Sequence, residues 1–171
     1  MTGAPRRVYR TRMKRLATAL ALVLLMVGFS RRADSGPGIR AGLTDDPDTL
    51  FAGFFYEIPL GAAGPGVFVL DPGVDLGFGI GDHDFVDWSL RGQLNVKYFI
   101  PINQFYLYPL MGLSVMHIEG DCGRFNDNDC DDTDAGLNIG LGFAFLERFN
   151  LELYATAGDY PDITFSFGFS F

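Results

Sequence analysis

The stretch DITFSFGFSF (162–171) places Phe165, Phe167, Phe169 and Phe171 at every second position, with Thr164, Ser166, Gly168 and Ser170 between them. Side chains of an extended strand alternate between two faces, so this spacing gathers four phenyl rings on one face and small groups on the other. A helix would spread the same rings around both of its sides. The stretch therefore reads as a β-strand with one large apolar face and one small polar face.

Working back towards the N-terminus, the same alternation recurs as far as Gly38. It predicts eight strands: β1 38–45, β2 49–58, β3 67–79, β4 86–100, β5 105–118, β6 134–145, β7 148–157 and β8 162–171. The separators carry turn chemistry, as in Asp45-Asp46-Pro47-Asp48, Gly61 to Gly66, Gly81-Asp82, Pro101-Ile102-Asn103 and Gly158-Asp159-Tyr160-Pro161. No segment after residue 30 has a helical period, so the class is all-β. Pro72 and Pro109 fall inside predicted strands, and β-bulges or strand starts are expected there.

The faces separate a soluble barrel from a membrane barrel. In β6, Leu137, Ile139, Leu141, Phe143 and Phe145 oppose Asn138, Gly140, Gly142 and Ala144. In β4, Trp88, Leu90, Leu94, Val96, Tyr98 and Ile100 oppose Asp87, Ser89, Arg91, Gln93, Asn95 and Lys97. A soluble barrel buries the large apolar face, whereas a membrane barrel turns it to lipid and keeps a polar interior. Gly42, Gly53, Gly73, Gly77, Gly112, Gly140, Gly142 and Gly168 all lie on the small face. Glycine facing water merely weakens a strand, but inside a narrow eight-stranded barrel it makes room for long neighbours. The expectation is a closed antiparallel eight-stranded transmembrane β-barrel, an up-and-down meander. A soluble lipocalin-like binder of apolar ligands is the opposing reading.

The N-terminus supplies an address. Arg6, Arg7, Arg10, Arg12, Lys14 and Arg15 precede an apolar run from Leu16 to Phe29. A basic segment before a short apolar run is the pattern of a secretory signal peptide, here 1–30, with 31–37 as a linker and 38–171 as the barrel. Met13 stands as an alternative start, and an uncleaved anchor helix as the alternative fate. Of 13 basic and 21 acidic residues, six basic ones fall before residue 31, which leaves the exported part seven against 21, a formal −14. That sign excludes a nucleic-acid partner, because phosphate neutralisation needs Lys and Arg. Loop lengths set the orientation: with the N-terminus in the periplasm, the longest connection, 119–133, lies outside and the short ones at 101–104 and 147–148 lie inside.

The chain resembles the eight-stranded outer-membrane β-barrels, the OmpA-like and OmpX-like group of the porin-like superfamily. GIRAGL (38–43), GVDLGFG (73–79), GQLNVKYFIP (92–101), GLNIGLGFAF (136–145) and PDITFSFGFSF (161–171) carry the resemblance. The terminal Phe167, Phe169 and Phe171 resemble the C-terminal signal read by the barrel-insertion machinery. The resemblance implies residence in a Gram-negative outer membrane, contact with outer-membrane lipid and lipopolysaccharide, and a monomer. It names no activity, since one barrel hosts structural, adhesive and enzymatic members.

Parity places Arg40, Glu57, Asp71, Asp75, Arg91, Lys97 and Glu152 in the interior. Charges withdrawn from water must be paired, so a salt-bridged plug is expected, against a narrow ion or solute path as the alternative. Cys122 and Cys130 read as a disulfide across the external loop rather than a zinc site, because no His accompanies them. Asp127, Asp129 and Asp131 in that loop alternate as Ca²⁺ ligands can, but without EF-hand spacing, and a solvated acidic loop is the plainer reading. No cofactor is expected. A lipid A-modifying enzyme would need a nucleophile beside a base, yet Ser114 and His117 point to opposite faces of one strand. The functional expectation is a structural or surface-interaction barrel that is not an enzyme.

Overall fold

The computed structural model describes residues 36–45, 48–80, 86–121, 129–158 and 162–171. Eight strands follow in order: β1 Gly36–Thr44, β2 Thr49–Ala63, β3 Gly66–Gly79, β4 Val86–Ile102, β5 Phe105–Asp121, β6 Asp129–Phe145, β7 Phe149–Ala157 and β8 Asp162–Ser170. Each pairs antiparallel with the next, and β8 pairs with β1 to close the barrel. Closure removes the sheet edges that would otherwise expose unpaired backbone groups. The signal segment 1–30 and linker residues 31–35 lie outside the described residues; Gly36 and Pro37 already belong to β1.

The period-two pattern sorts the side chains as the sequence requires. Phe54, Leu113 and Ile139 are 72%, 62% and 62% exposed on the outside, while Asp71, Asn95 and Lys97 are 0%, 0% and 1% exposed inside. All eight glycines of the small face point inwards, where neighbours occupy the space a Cβ would need. The Phe55 ring fills it at Gly38, Arg40 Nη2 at Gly73, the Tyr108 ring at Gly142 and the Asn150 amide at Gly168. At Gly140 and Gly112 the obstruction includes backbone of the adjacent strand, so no rotamer change could relieve it.

The prolines are accommodated differently from expectation. Pro72 pairs with Leu94, and Pro109 with Leu141, in unbroken register. The missing N–H is absorbed on the opposite side of each strand, where the ladder skips without slipping: between Phe55↔Gly73 and Ile58↔Leu70, and between Lys97↔Leu110 and Ile100↔Leu107. A proline lacks only one donor, so one side of its strand can stay fully paired. The register shifts occur elsewhere, at Pro59/Gly61 in β2 and at Val86/Trp88 in β4, where Leu60 and Asp87 are the extra residues.

Two hairpins run longer than expected. The 61–66 separator is largely strand: β2 continues to Ala63, and the hairpin closes at Gly64-Pro65, with Gly64 at φ 59°. The 119–133 connection is also mostly strand, because β5 and β6 stay paired out to Asp121↔Asp129. An Asp-rich run has poor strand propensity, but the partner strand decides the outcome. The β6–β7 ladder ends at Leu137↔Ala157, so the β5–β6 hairpin overtops its neighbour on that side.

Candidate functional site

Eight charged side chains from β1, β2, β3, β4, β7 and β8 converge on the barrel axis. On β4, Arg91, Gln93, Asn95 and Lys97 alternate inwards and form a polar spine that reaches several strands. Lys97 Nζ lies 2.7 Å from Asp71 Oδ2 of β3, 2.6 Å from Glu152 Oε1 of β7 and 3.8 Å from Glu57 Oε1 of β2. Arg40 of β1 bridges the same cluster: its Nε donates to Asp75 Oδ1 at 2.7 Å, and its Nη1 is 3.8 Å from Asp71 Oδ2. Three cations and their carboxylates are thus held where water is scarce, a placement that costs several kcal/mol per ion unless pairing is close.

Aromatic rings wall this cluster. Lys97 Nζ sits 5.4 Å from the Phe55 centroid and 5.5 Å from that of Tyr108. The Tyr108 hydroxyl donates to Glu152 Oε1 at 2.9 Å, and its ring stacks on Phe99 at 4.4 Å. Tyr108, Leu110 and Tyr154 form a small apolar core beside the charges.

Amides occupy the next layer. Gln93 Nε2 donates to Asp75 Oδ2 at 2.5 Å, Asn95 Nδ2 to Gln93 Oε1 at 2.6 Å and Asn138 Nδ2 to Asn95 Oδ1 at 3.0 Å. Ser114 and Thr156 then donate to Asn138 Oδ1 at 2.9 and 3.1 Å. Nearer the end that carries the β1–β2 and β5–β6 connections, Arg91 Nη2 contacts Asp162 Oδ2 at 2.5 Å, and its Nη1 donates to Thr164 Oγ1 at 3.0 Å. The interior therefore holds Arg40, Arg91 and Lys97 against Glu57, Asp71, Asp75, Glu152 and Asp162.

Every charged residue assigned inwards from parity lies inside the barrel, and five strands, β1, β2, β3, β4 and β7, bring all but Arg91 into one connected cluster. Asp162 and Tyr108 are lumen residues beyond those expected from the sequence. Asp162 shares parity with Thr164 and Ser166, and Tyr108 with Gly112, so the alternation contained both signals. Ser114 is buried inside while His117 faces outwards, bonded to Thr133 Oγ1 at 3.0 Å. Cys122 and Asp127 lie outside the described residues; for Cys130, Asp129 and Asp131 only the backbone pairing in β6 is described. Among the described residues no group of acids, His or Cys could hold a metal ion.

No family model matches the chain, and no curated protein matches it by sequence. Solved structures do. The N-terminal β-barrel domain of OprF from Pseudomonas aeruginosa matches 82% of this chain and 100% of its own at 18% identity, with a TM-score of 0.54. Ail, the attachment invasion locus protein of Yersinia pestis, matches 78% of this chain and 94% of its own at 13% identity, with a TM-score of 0.51. What this chain shares with both is the fold, a closed eight-stranded antiparallel β-barrel.

Proposed function

We propose that the chain is an outer-membrane β-barrel with a structural or surface-interaction role, its lumen closed by the charge-paired plug around Lys97. The observation that carries the reading is the inverted polarity: charged groups at or near zero exposure inside, and a continuous outer surface of Phe, Leu, Ile and Val. Such a surface has no counterpart on a soluble monomer, whose exposed apolar patches reach only a few hundred Å². In lipid it is the expected exterior, and eight strands leave room inside only for side chains.

In this reading the end bearing the β1–β2, β3–β4 and β5–β6 connections faces outside, and the overtopping β5–β6 hairpin is the surface element. Phe167, Phe169 and Phe171 engage the barrel-insertion machinery, lipid and lipopolysaccharide surround a monomer, and the N-terminal segment is removed after export. Rings at Phe145, Phe149, Phe167 and Phe169 are spaced 5.1 to 5.7 Å along one rim, as an interfacial girdle would be.

Heat modifiability tests this. The protein extracted from outer membranes should migrate faster on SDS gels unboiled than boiled. Recovery in the soluble periplasmic fraction, without a shift, would overturn the membrane reading. Planar-bilayer conductance tests the plug, and a steady nanosiemens channel would replace it with a solute path.

A further inference from the structure

Every strand of the barrel has two neighbours, but not along its whole length. β6 pairs with β5 out to Asp121↔Asp129, whereas its ladder with β7 stops at Leu137↔Ala157. The end of β7 still borders β6 at Ala135, whose carbonyl oxygen lies 3.0 Å from where a Cβ on Gly158 would be. β7 and β8 meet again at Thr156↔Asp162, so the five residues between that pair must climb and return. At a rise of about 3.3 Å per residue they reach no higher than the level of Ala135. Residues 129–134 therefore keep one side of their backbone clear of any described strand. Thr133 shows the consequence: its N–H donates to the carboxylate of Asp132 beside it, at 2.8 Å, rather than to a strand.

An open edge is a template for another strand unless something blocks it. β2 has a comparable run at the other end, 58–63, past its last pair with β1 at Gly36↔Glu57. That run carries Pro59 and the extra residue Leu60, a proline and a bulge of the kind that keep strands from adding. Residues 129–134 have neither: they hold no proline, and their register with β5 is unbroken. What they carry instead is charge, four aspartates in six residues: Asp129, Asp131, Asp132 and Asp134.

We propose that this edge takes up an extended, Lys- or Arg-rich segment of another protein as an additional strand. The inference rests on the surface-interaction reading and names the partner's chemistry. Main-chain hydrogen bonds supply the docking and side-chain charge the selection, the division of labour of strand addition in general. Charge decides against the other occupant, a second copy. Every register of 129–134 against itself, parallel or antiparallel, that pairs three or more residues sets at least one Asp opposite Asp. Like charges directly opposite destabilise a ladder, whereas opposite charges stabilise it. Asp132 and Thr133 are exposed and Asp134 is half-buried, so side chains of an added strand can reach them. The same sign extends beyond the edge. The four connections at this end, 45–48, 80–85, 122–128 and 158–161, hold seven aspartates against one cation, Arg124. A field of that sign speeds the approach of a basic partner and turns away an acidic one.

The test uses the full exported chain, isotope-labelled, in nanodiscs of dimyristoyl phosphatidylcholine, a lipid without net charge. The probe is the peptide Lys-Val-Lys-Val-Lys-Val-Lys, and amide hydrogen exchange is followed by NMR. The peptide should slow exchange of the edge amides, Thr133 above all, several-fold, and the effect should weaken with added salt. The same peptide methylated on alternate backbone nitrogens keeps its charge but cannot form the ladder, and it should give no protection. Glu-Val-Glu-Val-Glu-Val-Glu should give none either. In Asp131→Lys/Asp132→Lys, with the unboiled gel band still compact, protection by the Lys peptide should fall several-fold. No protection of Thr133 by the Lys peptide overturns the proposal without needing any variant. Protection that the methylated peptide reproduces overturns strand addition, and protection that the Glu peptide matches, or that appears equally at 58–63, overturns the charge selection. Slow exchange at Thr133 without peptide, in discs loaded with two barrels but not in discs with one, would assign the edge to a second copy instead. Failure of heat modifiability would remove the membrane reading itself, whereas a heat-modifiable barrel whose Thr133 stays unprotected removes only this site.

Discussion

Replacing Lys97 by Met should cost the barrel more than any other single charge deletion in the lumen. The ammonium is the shared partner of Asp71 and Glu152 at 2.7 and 2.6 Å and lies 3.8 Å from Glu57. Met keeps the aliphatic volume beside Phe55 and Tyr108 but leaves three carboxylates with one remote cation, Arg40 Nη1 at 3.8 Å from Asp71. Breaking a buried pair by removing one partner costs about 3–5 kcal/mol, because the other charge stays desolvated. With a urea slope of about 2 kcal/mol per molar, that loss lowers the unfolding midpoint by roughly 2 M. The assay is urea unfolding of the vesicle-inserted barrel, followed by the heat-modifiable band and by Trp88, the sole Trp of the chain. Lys97→Met/Glu152→Gln should recover part of the deficit, since it deletes one of the orphaned charges and leaves an amide that the Tyr108 hydroxyl can still address. A midpoint unchanged in the single variant would refute the reasoning, as it would mean that the lumen is wet enough to screen these ions. A double variant as unstable as the sum of its parts would refute the claim that Lys97 and Glu152 are energetically coupled.

The remaining expectations concern the wall. Ile139→Lys, on the exposed face of β6, should destabilise the inserted barrel by about 2–4 kcal/mol if that face meets the bilayer midplane; a shift near zero in the same urea assay would turn the face to water. Gly140→Val should abolish the compact unboiled band altogether, because its Cβ would overlap the Leu153 carbonyl and the Tyr154 backbone across the β6–β7 ladder. A folded Gly140→Val barrel would show that β7 can move away from β6 without losing closure.

How much of this was legible in the chain follows from what parity can and cannot carry. A one-residue slip reverses every side chain, so alternation in β4, β6 and β8 assigns inside and outside almost without ambiguity. That is why Arg40, Arg91, Lys97 and Glu152 could be placed in the lumen before any pairing was known. Parity holds no information on height, however, and the partners of Lys97 come from β2, β3 and β7 through the stagger of the closed sheet. Strand ends were equally hidden. Asp129 to Asp134 resembles a loop by propensity, yet β5 supplies Met116 to Asp121 as a partner and the ladder continues. The prolines depart from expectation for a related reason: a missing donor predicts a bulge, but a strand with two neighbours can lose a bond to one and keep its register with the other.

The distribution of polarity also fixes which face can drive folding. A water-soluble domain gains its stability by withdrawing apolar side chains from water into its centre. This barrel's centre holds Arg40, Arg91, Lys97 and their acids, whose desolvation opposes collapse and is only offset by close pairing. The apolar payload is on the outside, and it contributes only when something apolar receives it. Pairing inside therefore selects one register and one closed geometry, and in the membrane setting proposed above the free energy that holds the chain there comes from the surrounding lipid. The two variants argued above separate these roles. Lys97→Met attacks the selection from within, and Ile139→Lys attacks the driving force from outside; Lys97→Met should therefore be relieved by Glu152→Gln in the lumen, and Ile139→Lys should not.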